Sequence, residues 1–188
     1  MKYAAFDVET PNSQNRRMSA LGVTLLDETG ITGNFSFLVN PETHFDPFNI
    51  SLTGITPAMV KDSPAFPQLW KKLEELLSGR TLLAHNAPFD LGVLSKCLMD
   101  YGISWGPLVP YLCTCRMSRT LLPQLPNHKL NTLADYFAIP LRHHEAASDS
   151  QACGEIFLHH VRSGADPAPF LRLYDLERRR TLPRGRWA

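Results

Sequence analysis

The stretch YAAFDVET, residues 3–10, decides both the fold and the chemistry expected of this chain. It begins as an apolar run and ends in acids, as expected of a buried strand with polar groups at its tip. Successive side chains of a strand point to opposite faces, so Asp7 and Glu9 lie on the same side. Burying two neighbouring carboxylates is costly unless a cation neutralises them, and such oxygen ligands suit Mg²⁺ or Mn²⁺. Solvated acids at an exposed strand end are the alternative interpretation.

The segments that follow predict a mixed α/β domain. Residues 18–26 and 31–39 are strand-like, so the first three strands form an antiparallel meander, and residues 40–57 are rich in loop signals. Helices and strands then alternate. The predicted helices cover residues 64–77, 88–101, 132–138 and 146–162, and the predicted strands cover 81–84 and 111–114. This order favours a mixed sheet with helices on its faces.

Bulk composition narrows the class of protein. A length of 188 residues suits one domain, and 44% hydrophobic residues are enough for a sizeable core. The net charge of +1 argues against a large non-specific nucleic-acid surface, but not against an enzyme that grips a few nucleotides. The early acids predict no secretory segment, and no apolar run is long enough for a membrane span. The four cysteines fit no zinc pattern, which predicts free thiols in a reducing cytoplasm.

A second acidic segment is AHNAPFD, residues 84–90, where a strand end runs into a helix. Asp90 falls in the first helical turn, where an acid is also a common partner of the helix dipole. His85 and Asn86 could contact sugar or phosphate, or could brace the turn. Phe89 could stack on a base or fill the core.

The third segment is HHEAASDS, residues 143–150. Asp149 lies early in the last predicted helix, and His144 lies in the loop before it. A histidine near a metal-bound water can take its proton at neutral pH, and the adjacent His143 could do the same. Two surface histidines without a catalytic role are the ordinary alternative.

Together the three segments make the chain resemble the DEDDh branch of the DEDD superfamily of 3′→5′ exonucleases. These DnaQ-like enzymes include the proofreading epsilon subunit of bacterial DNA polymerase III. The family's Asp-x-Glu motif stands here at residues 7–9, and its His-Asn-x-x-Phe-Asp motif at residues 85–90. Its last motif, a histidine five residues before an aspartate, fits His144 and Asp149 and selects His144 over His143. Residues 52–56, LTGIT, resemble the family's loop that wedges against the terminal base.

The resemblance covers roughly residues 1–163 and implies a ribonuclease H-like fold, a five-stranded mixed sheet flanked by helices with its second strand antiparallel. It implies two divalent cations, Mg²⁺ or Mn²⁺, and His144 as general base. The implied metal ligands are Asp7, Glu9, Asp90 and Asp149. The implied substrate contacts are Val8, Thr10, Leu52, Thr53, His85, Asn86 and Phe89.

The function expected from the resemblance is removal of nucleotides from the 3′ end of single-stranded DNA, in proofreading or repair. A DNA polymerase or another replication or repair protein is a candidate partner, and no membrane is expected. An exoribonuclease acting on RNA 3′ ends would have the same metal site. An inactive nuclease-fold subunit of a larger assembly is the third alternative.

Two regions depart from the family pattern. Many relatives follow the first motif with threonine and glycine, whereas this chain has Pro11 and Asn12, which leaves ribose recognition open. Residues 164–188 form a predicted basic C-terminal tail that is rich in proline and arginine. Such a segment is either a solvated surface or a phosphate-contacting or partner-binding segment.

Overall fold

A seven-stranded mixed sheet forms the centre of the computed structural model, which describes residues 1–183. The strands are β1 (Lys2–Glu9), β2 (Ala20–Asp27), β3 (Ile31–Leu38), β4 (Thr81–Ala84), β5 (Leu108–Cys113), β6 (Arg172–Asp175) and β7 (Arg180–Thr181). Their order is β3-β2-β1-β4-β5-β6-β7. β2 is antiparallel to β1 and β3, whereas β1, β4 and β5 are parallel. The mixed α/β sheet and the antiparallel second strand are confirmed, but the described sheet has two strands more than the expected five.

Helices cover both faces of this sheet. They are α1 (Pro47–Thr53), α2 (Pro57–Val60), α3 (Phe66–Leu77), α4 (Pro88–Asp100), α5 (Thr114–Leu121), α6 (Leu130–Tyr136) and α7 (Ala146–Arg162). α1 lies in a segment that was predicted to be loop, because a helix of seven residues is too short to establish a helical period. None of the helices in residues 1–183 has the length and apolar character needed to cross a membrane.

The two additional strands come from the segment predicted to be a tail. β6 pairs antiparallel with β5, and β7 pairs with β6. Tyr174 of β6 is buried, and its ring meets that of Tyr111 edge-on at 6.2 Å between centroids. The sheet therefore continues well past the boundary expected at residue 163. Residues 184–188, the end of the predicted tail, lie outside the described residues.

Alternation along β1 separates two layers of core. Phe6 and Val8 join the apolar cluster that α3 and α4 complete on one face. Tyr3 and Ala5 join the cluster on the other face, where the ring of Tyr3 lies 4.6 Å from that of Phe157 in α7. The odd-numbered residues continue as Asp7 and Glu9. These two acids therefore point to the face that α7 covers.

Gly22 of β2 allows α7 to begin directly against the sheet. A Cβ atom at this position would lie 1.9 Å from the carbonyl oxygen of Ala146, the first residue of α7. A Cβ atom cannot lie so close to a backbone oxygen, so this contact requires a glycine. The first turn of α7 carries Asp149, and Gly22 thereby helps to bring Asp149 over the end of β1.

Candidate active site

Four acids from three elements meet at the carboxyl end of β1. Asp7 and Glu9 end the strand, Asp90 lies in the first turn of α4, and Asp149 lies in the first turn of α7. Asp7, Glu9 and Asp149 each offer a carboxylate oxygen within 4.8 Å of the others. Asp90 is buried and accepts a 3.2 Å hydrogen bond from the backbone amide of Val8. The structure thus brings together the four acids singled out in the sequence.

Burial and mutual repulsion make these acids hard to ionise without a cation. Burial first, and repulsion from Asp149 second, raise the pKa of Asp7 to about 8. Burial, followed by repulsion from Asp7, raises the pKa of Glu9 to about 9. Burial also raises the pKa of Asp90 and of Asp149. A bound cation would reverse this effect, because it favours the charged form of each ligand.

One oxygen of Asp149 tests whether the residues fit a metal. Its Oδ1 is buried and has no hydrogen-bond partner within residues 1–183. Buried polar atoms are usually paired, and a carboxylate oxygen can be satisfied by a metal as well as by a hydrogen bond. The unpartnered oxygen, together with the oxygens of Asp7 and Glu9 beside it, fits a hard divalent cation.

Both candidate histidines lie at Asp149. The ring Nδ1 of His143 is 3.0 Å from Asp149 Oδ2, and the backbone amide of His144 donates to the same oxygen over 3.0 Å. The two imidazole rings stack with centroids 3.9 Å apart. Within the described chain the His144 ring makes no hydrogen bond. Burial, and then the neighbouring His143, lower the pKa of His144, so its ring is neutral and able to accept a proton at pH 7.

A cavity of about 760 Å³ opens over the acids. This volume lies in the range of about 300–1,000 Å³ that is typical of ligand-binding pockets. Every predicted site residue lines it, together with His143. The substrate-contact candidates among the lining residues are Val8, Thr10, Leu52, Thr53, His85, Asn86 and Phe89. Leu52 and Phe89 are 41% and 40% exposed, so their apolar side chains are available to a base.

His85 faces this cavity but has no free polar atom. Its Nδ1 lies 2.9 Å from the hydroxyl of Thr114, and its Nε2 lies 2.9 Å from the carbonyl oxygen of His128. Burial lowers the pKa of His85 to about 4, so the ring is neutral, with Nε2 donating to the carbonyl. The geometry favours the bracing role that the sequence left open, because the ring ties β4 to α5 and to the loop before α6.

Sequence reasoning missed one side of the cavity. Asn49 comes from α1, and the remaining missed residues come from the segment that contains α5 and the start of α6. These are Cys115, Arg119, Asn127, His128, Lys129 and Leu130. No local pattern marks Asn49, since it lies inside a loop-like segment. In the sequence, the adjacent polar residues His128 and Lys129 just before a helix are the signal that could have indicated this side of the cavity.

Several known proteins are similar to this chain in sequence. The RNase_T family model, described as an exonuclease, matches residues 4–157. The chain is 34% identical over 160 residues to the PolC-type DNA polymerase III of Caldanaerobacter subterraneus subsp. tengcongensis, with 84% of this chain covered. It is 36% identical over 159 residues to the corresponding protein of Clostridium perfringens, with 82% covered. The chain spans about a tenth of these relatives, 11% in both cases.

Solved structures of nucleases share the fold. Exonuclease X, solved with 5′-overhanging duplex DNA, superimposes with a TM-score of 0.73 at 21% identity, covering 89% of this chain and 96% of that one. The nuclease domain of 3′hExo, a DEDDh family member bound to rAMP, gives a TM-score of 0.71 at 24% identity. That comparison covers 87% of this chain and 92% of that one.

Proposed function

The chain belongs to the RNase_T family of exonucleases, and we propose that it is a 3′→5′ exonuclease whose substrate is the 3′ end of single-stranded DNA. It hydrolyses that end one nucleotide at a time. The observation that carries the proposal is the convergence of four acids, three of them buried and Asp7 half-buried, at the base of one cavity. The cavity has the size of a ligand pocket, which suits a strand end better than an intact duplex.

The acids are proposed to hold two divalent cations, Mg²⁺ or Mn²⁺. Asp7, Glu9 and Asp149 have the geometry of one ligand set, and Asp90 with Asp7 would serve the second ion. When bound, such ions neutralise the carboxylates, polarise phosphoryl oxygens and lower the pKa of water. The unpartnered Oδ1 of Asp149 supports this assignment.

The remaining chemistry is proposed for other residues of the chain. The neutral ring of His144 accepts the proton of the attacking water. His143 holds Asp149 through its Nδ1 and thereby fixes the orientation of that carboxylate. Leu52 and Phe89 pack against the terminal base, and the backbone of Val8 and Thr10 lies beside the sugar. The apolar side chains of Leu52 and Phe89 support binding that does not depend on the nucleotide sequence.

RNA is the second candidate substrate. A relative of the same fold was solved with rAMP, which makes an RNA end worth testing in this chain. The acids do not distinguish the two substrates, because the scissile phosphate is the same in both. A contact to the 2′-hydroxyl would distinguish them.

A role beside a DNA polymerase, in proofreading or repair, is proposed from the PolC-type relatives. Four free cysteines suit a reducing compartment, so we propose the cytoplasm. An inactive assembly subunit is disfavoured, because such a subunit would be expected to have lost a ligand, and all four acids are present.

The test uses matched 5′-labelled DNA and RNA oligonucleotides with Mg²⁺ or Mn²⁺. We expect a one-nucleotide ladder on DNA that disappears with a chelator and with Asp7→Ala. Asp62→Ala removes an exposed acid and is the matched control, expected to keep full activity. A ladder mainly on RNA would favour the exoribonuclease. No cleavage of either strand by folded, metal-loaded protein would contradict the proposed function.

A further inference from the structure

The amide of Asn49 is held in one orientation at the wall of the cavity. Its Nδ2 donates to the carbonyl oxygen of Thr10 over 2.9 Å and to the Thr10 hydroxyl over 3.2 Å. A carbonyl oxygen can only accept, so the group that faces it must be the NH₂. The assignment of nitrogen and oxygen is therefore decided by the contacts, and Oδ1 points away from Thr10.

This leaves Asn49 Oδ1 as an acceptor without a donor. No group in residues 1–183 donates to it, although the residue is only 8% exposed and lines the cavity. Among residues 1–183, the fully enclosed side-chain atoms without a partner do not include Asn49 Oδ1. This oxygen therefore remains accessible from the cavity. The hydroxyl of Thr10 cannot supply the missing proton, because it donates to Asn15 Oδ1 over 3.0 Å.

The two ends of the cavity differ in charge. Asn49 and Leu52 come from α1, which leads into Ile55 packed against β2, and this end is uncharged. Arg119 and Lys129 come from the segment after β5. The strand order β2-β1-β4-β5 sets the acids of β1 between the two ends. Neither Arg119 nor Lys129 has an ion-pair partner within the described residues.

A nucleic-acid strand matches this asymmetry in one direction only. Each nucleotide on the 5′ side of the scissile bond brings a negative phosphate, which suits the cationic end. The terminal nucleotide has no phosphate beyond the scissile one. It presents a base and a sugar hydroxyl, which suit an apolar side chain and a neutral acceptor.

We propose that Asn49 Oδ1 accepts a hydrogen bond from the 3′-hydroxyl of the terminal nucleotide. Asn49 is then a specificity-determining residue that selects unblocked 3′-hydroxyl ends. The inference rests on the proposed exonuclease function and goes beyond it, since it assigns recognition of the terminal sugar to a side chain outside the acids and His144. It also gives a means of sugar recognition beside Pro11, which lacks a backbone N–H.

The test compares kcat/KM on two otherwise identical DNA strands, one ending in a 3′-hydroxyl and one in a 2′,3′-dideoxy sugar. We expect the wild-type protein to prefer the hydroxyl end by about 10- to 100-fold, as sites that bind a substrate hydroxyl reject the analogue without it. Asn49→Leu removes the acceptor and should bring this ratio close to one. Asn49→Asp retains an acceptor and should keep part of the preference.

The ratio separates recognition from structural support. Asn49→Leu also loses the bonds to Thr10, so lower activity on both ends is expected and says nothing about the hydroxyl. Asn127→Leu, at the cationic end, is the matched control and should leave the ratio at its wild-type value. An unchanged ratio in Asn49→Leu would overturn the inference.

Wild-type protein alone also tests the idea, should the variants fail to fold. Equal cleavage of both ends by wild-type protein would refute the role of Asn49 while leaving the proposed exonuclease intact. Absence of cleavage on the hydroxyl end would overturn the proposed function, and the inference with it.

Discussion

The two faces of β1 serve opposite purposes. On one face Phe6 and Val8 pack into a continuous apolar core with α3 and α4. On the other face the residues begin apolar at Tyr3 and Ala5 and end as Asp7 and Glu9 under α7. Residues that are neighbours in sequence therefore differ in what they contribute. The first face stabilises the fold, and the second face holds carboxyl groups whose ionisation opposes folding unless a cation binds them.

Truncating Phe6 should weaken the apolar packing on the stabilising face of β1. Phe6→Ala is expected to lower the free energy of unfolding by about 3–5 kcal/mol, because a fully buried aromatic side chain leaves a cavity. Denaturant unfolding measures this effect. If the two faces are independent, the protein that remains folded keeps its kcat, measured at a temperature below the transition. A loss of less than 1 kcal/mol would contradict the separation of roles.

The histidines sharpen the comparison on the catalytic face. His144→Ala should lower kcat by about 10²–10⁴-fold, the usual contribution of one general base. His143→Ala removes the ring contact with Asp149 and should cost less, since the backbone amide of His144 still donates to the same carboxylate. Single-turnover rates with saturating metal measure both variants. A larger loss for His143→Ala would transfer the base role to His143.

Gly22 affects both stability and the catalytic face, because it determines how closely α7 approaches β2. Gly22→Ala should displace the first turn of α7 and cost about 1–3 kcal/mol of stability, together with activity, since Asp149 moves with that turn. Gly154→Ala is the matched control in the same helix, where a new Cβ would lie 3.5 Å from Leu26 in ordinary contact. Thermal unfolding and kcat are measured together. Equal effects of the two changes would argue against the close approach.

The smallest effect concerns pH and metal. The pKa of Asp7 is about 8 and that of Glu9 is about 9 in the folded metal-free protein, whereas the pKa of a carboxyl group in the unfolded chain is about 4. Because both folded-state values are raised, their stabilising contribution is complete below pH about 4 and is lost as the pH rises through about 8 to 9. Metal-free protein should therefore melt at a lower temperature at pH 8 than at pH 6.

Mg²⁺ should raise the melting temperature more at pH 8 than at pH 6. The carboxyl ligands must lose their protons before they bind the ion, and this loss costs less free energy at the higher pH. Asp7→Asn removes one titrating ligand, so both the pH dependence and the Mg²⁺ effect should shrink. Thermal scans with Mg²⁺ and with a chelator at both pH values check this. An identical Mg²⁺ effect in Asp7→Asn would show that the ion binds elsewhere.

How much could be predicted depended on whether the signal was local. Alternation along β1 indicated the shared side of Asp7 and Glu9, and the motif spacing indicated the family, which the RNase_T match confirms. The position of Asn49 was not predictable, because its role comes from contact with Thr10, far away in sequence. The same holds for Arg119, which reaches the cavity only because β5 lies beside β4. Long-range contacts of this kind leave no period in the sequence.

The C-terminal strands were missed for a different reason. Their segment is rich in proline and arginine, which usually marks irregular or exposed chain, yet tertiary pairing with β5 overrides that preference.

β6 has a practical consequence for anyone who wishes to excise this domain. The family match ends at residue 157, but β6 covers the edge of β5, and β7 pairs with β6 and extends the sheet as far as residue 181. A recombinant fragment ended at residue 163 would expose a row of unpaired amides and carbonyls along β5. Such an edge is a template for pairing between molecules, so the shortened fragment should self-associate at concentrations where the longer one stays dispersed.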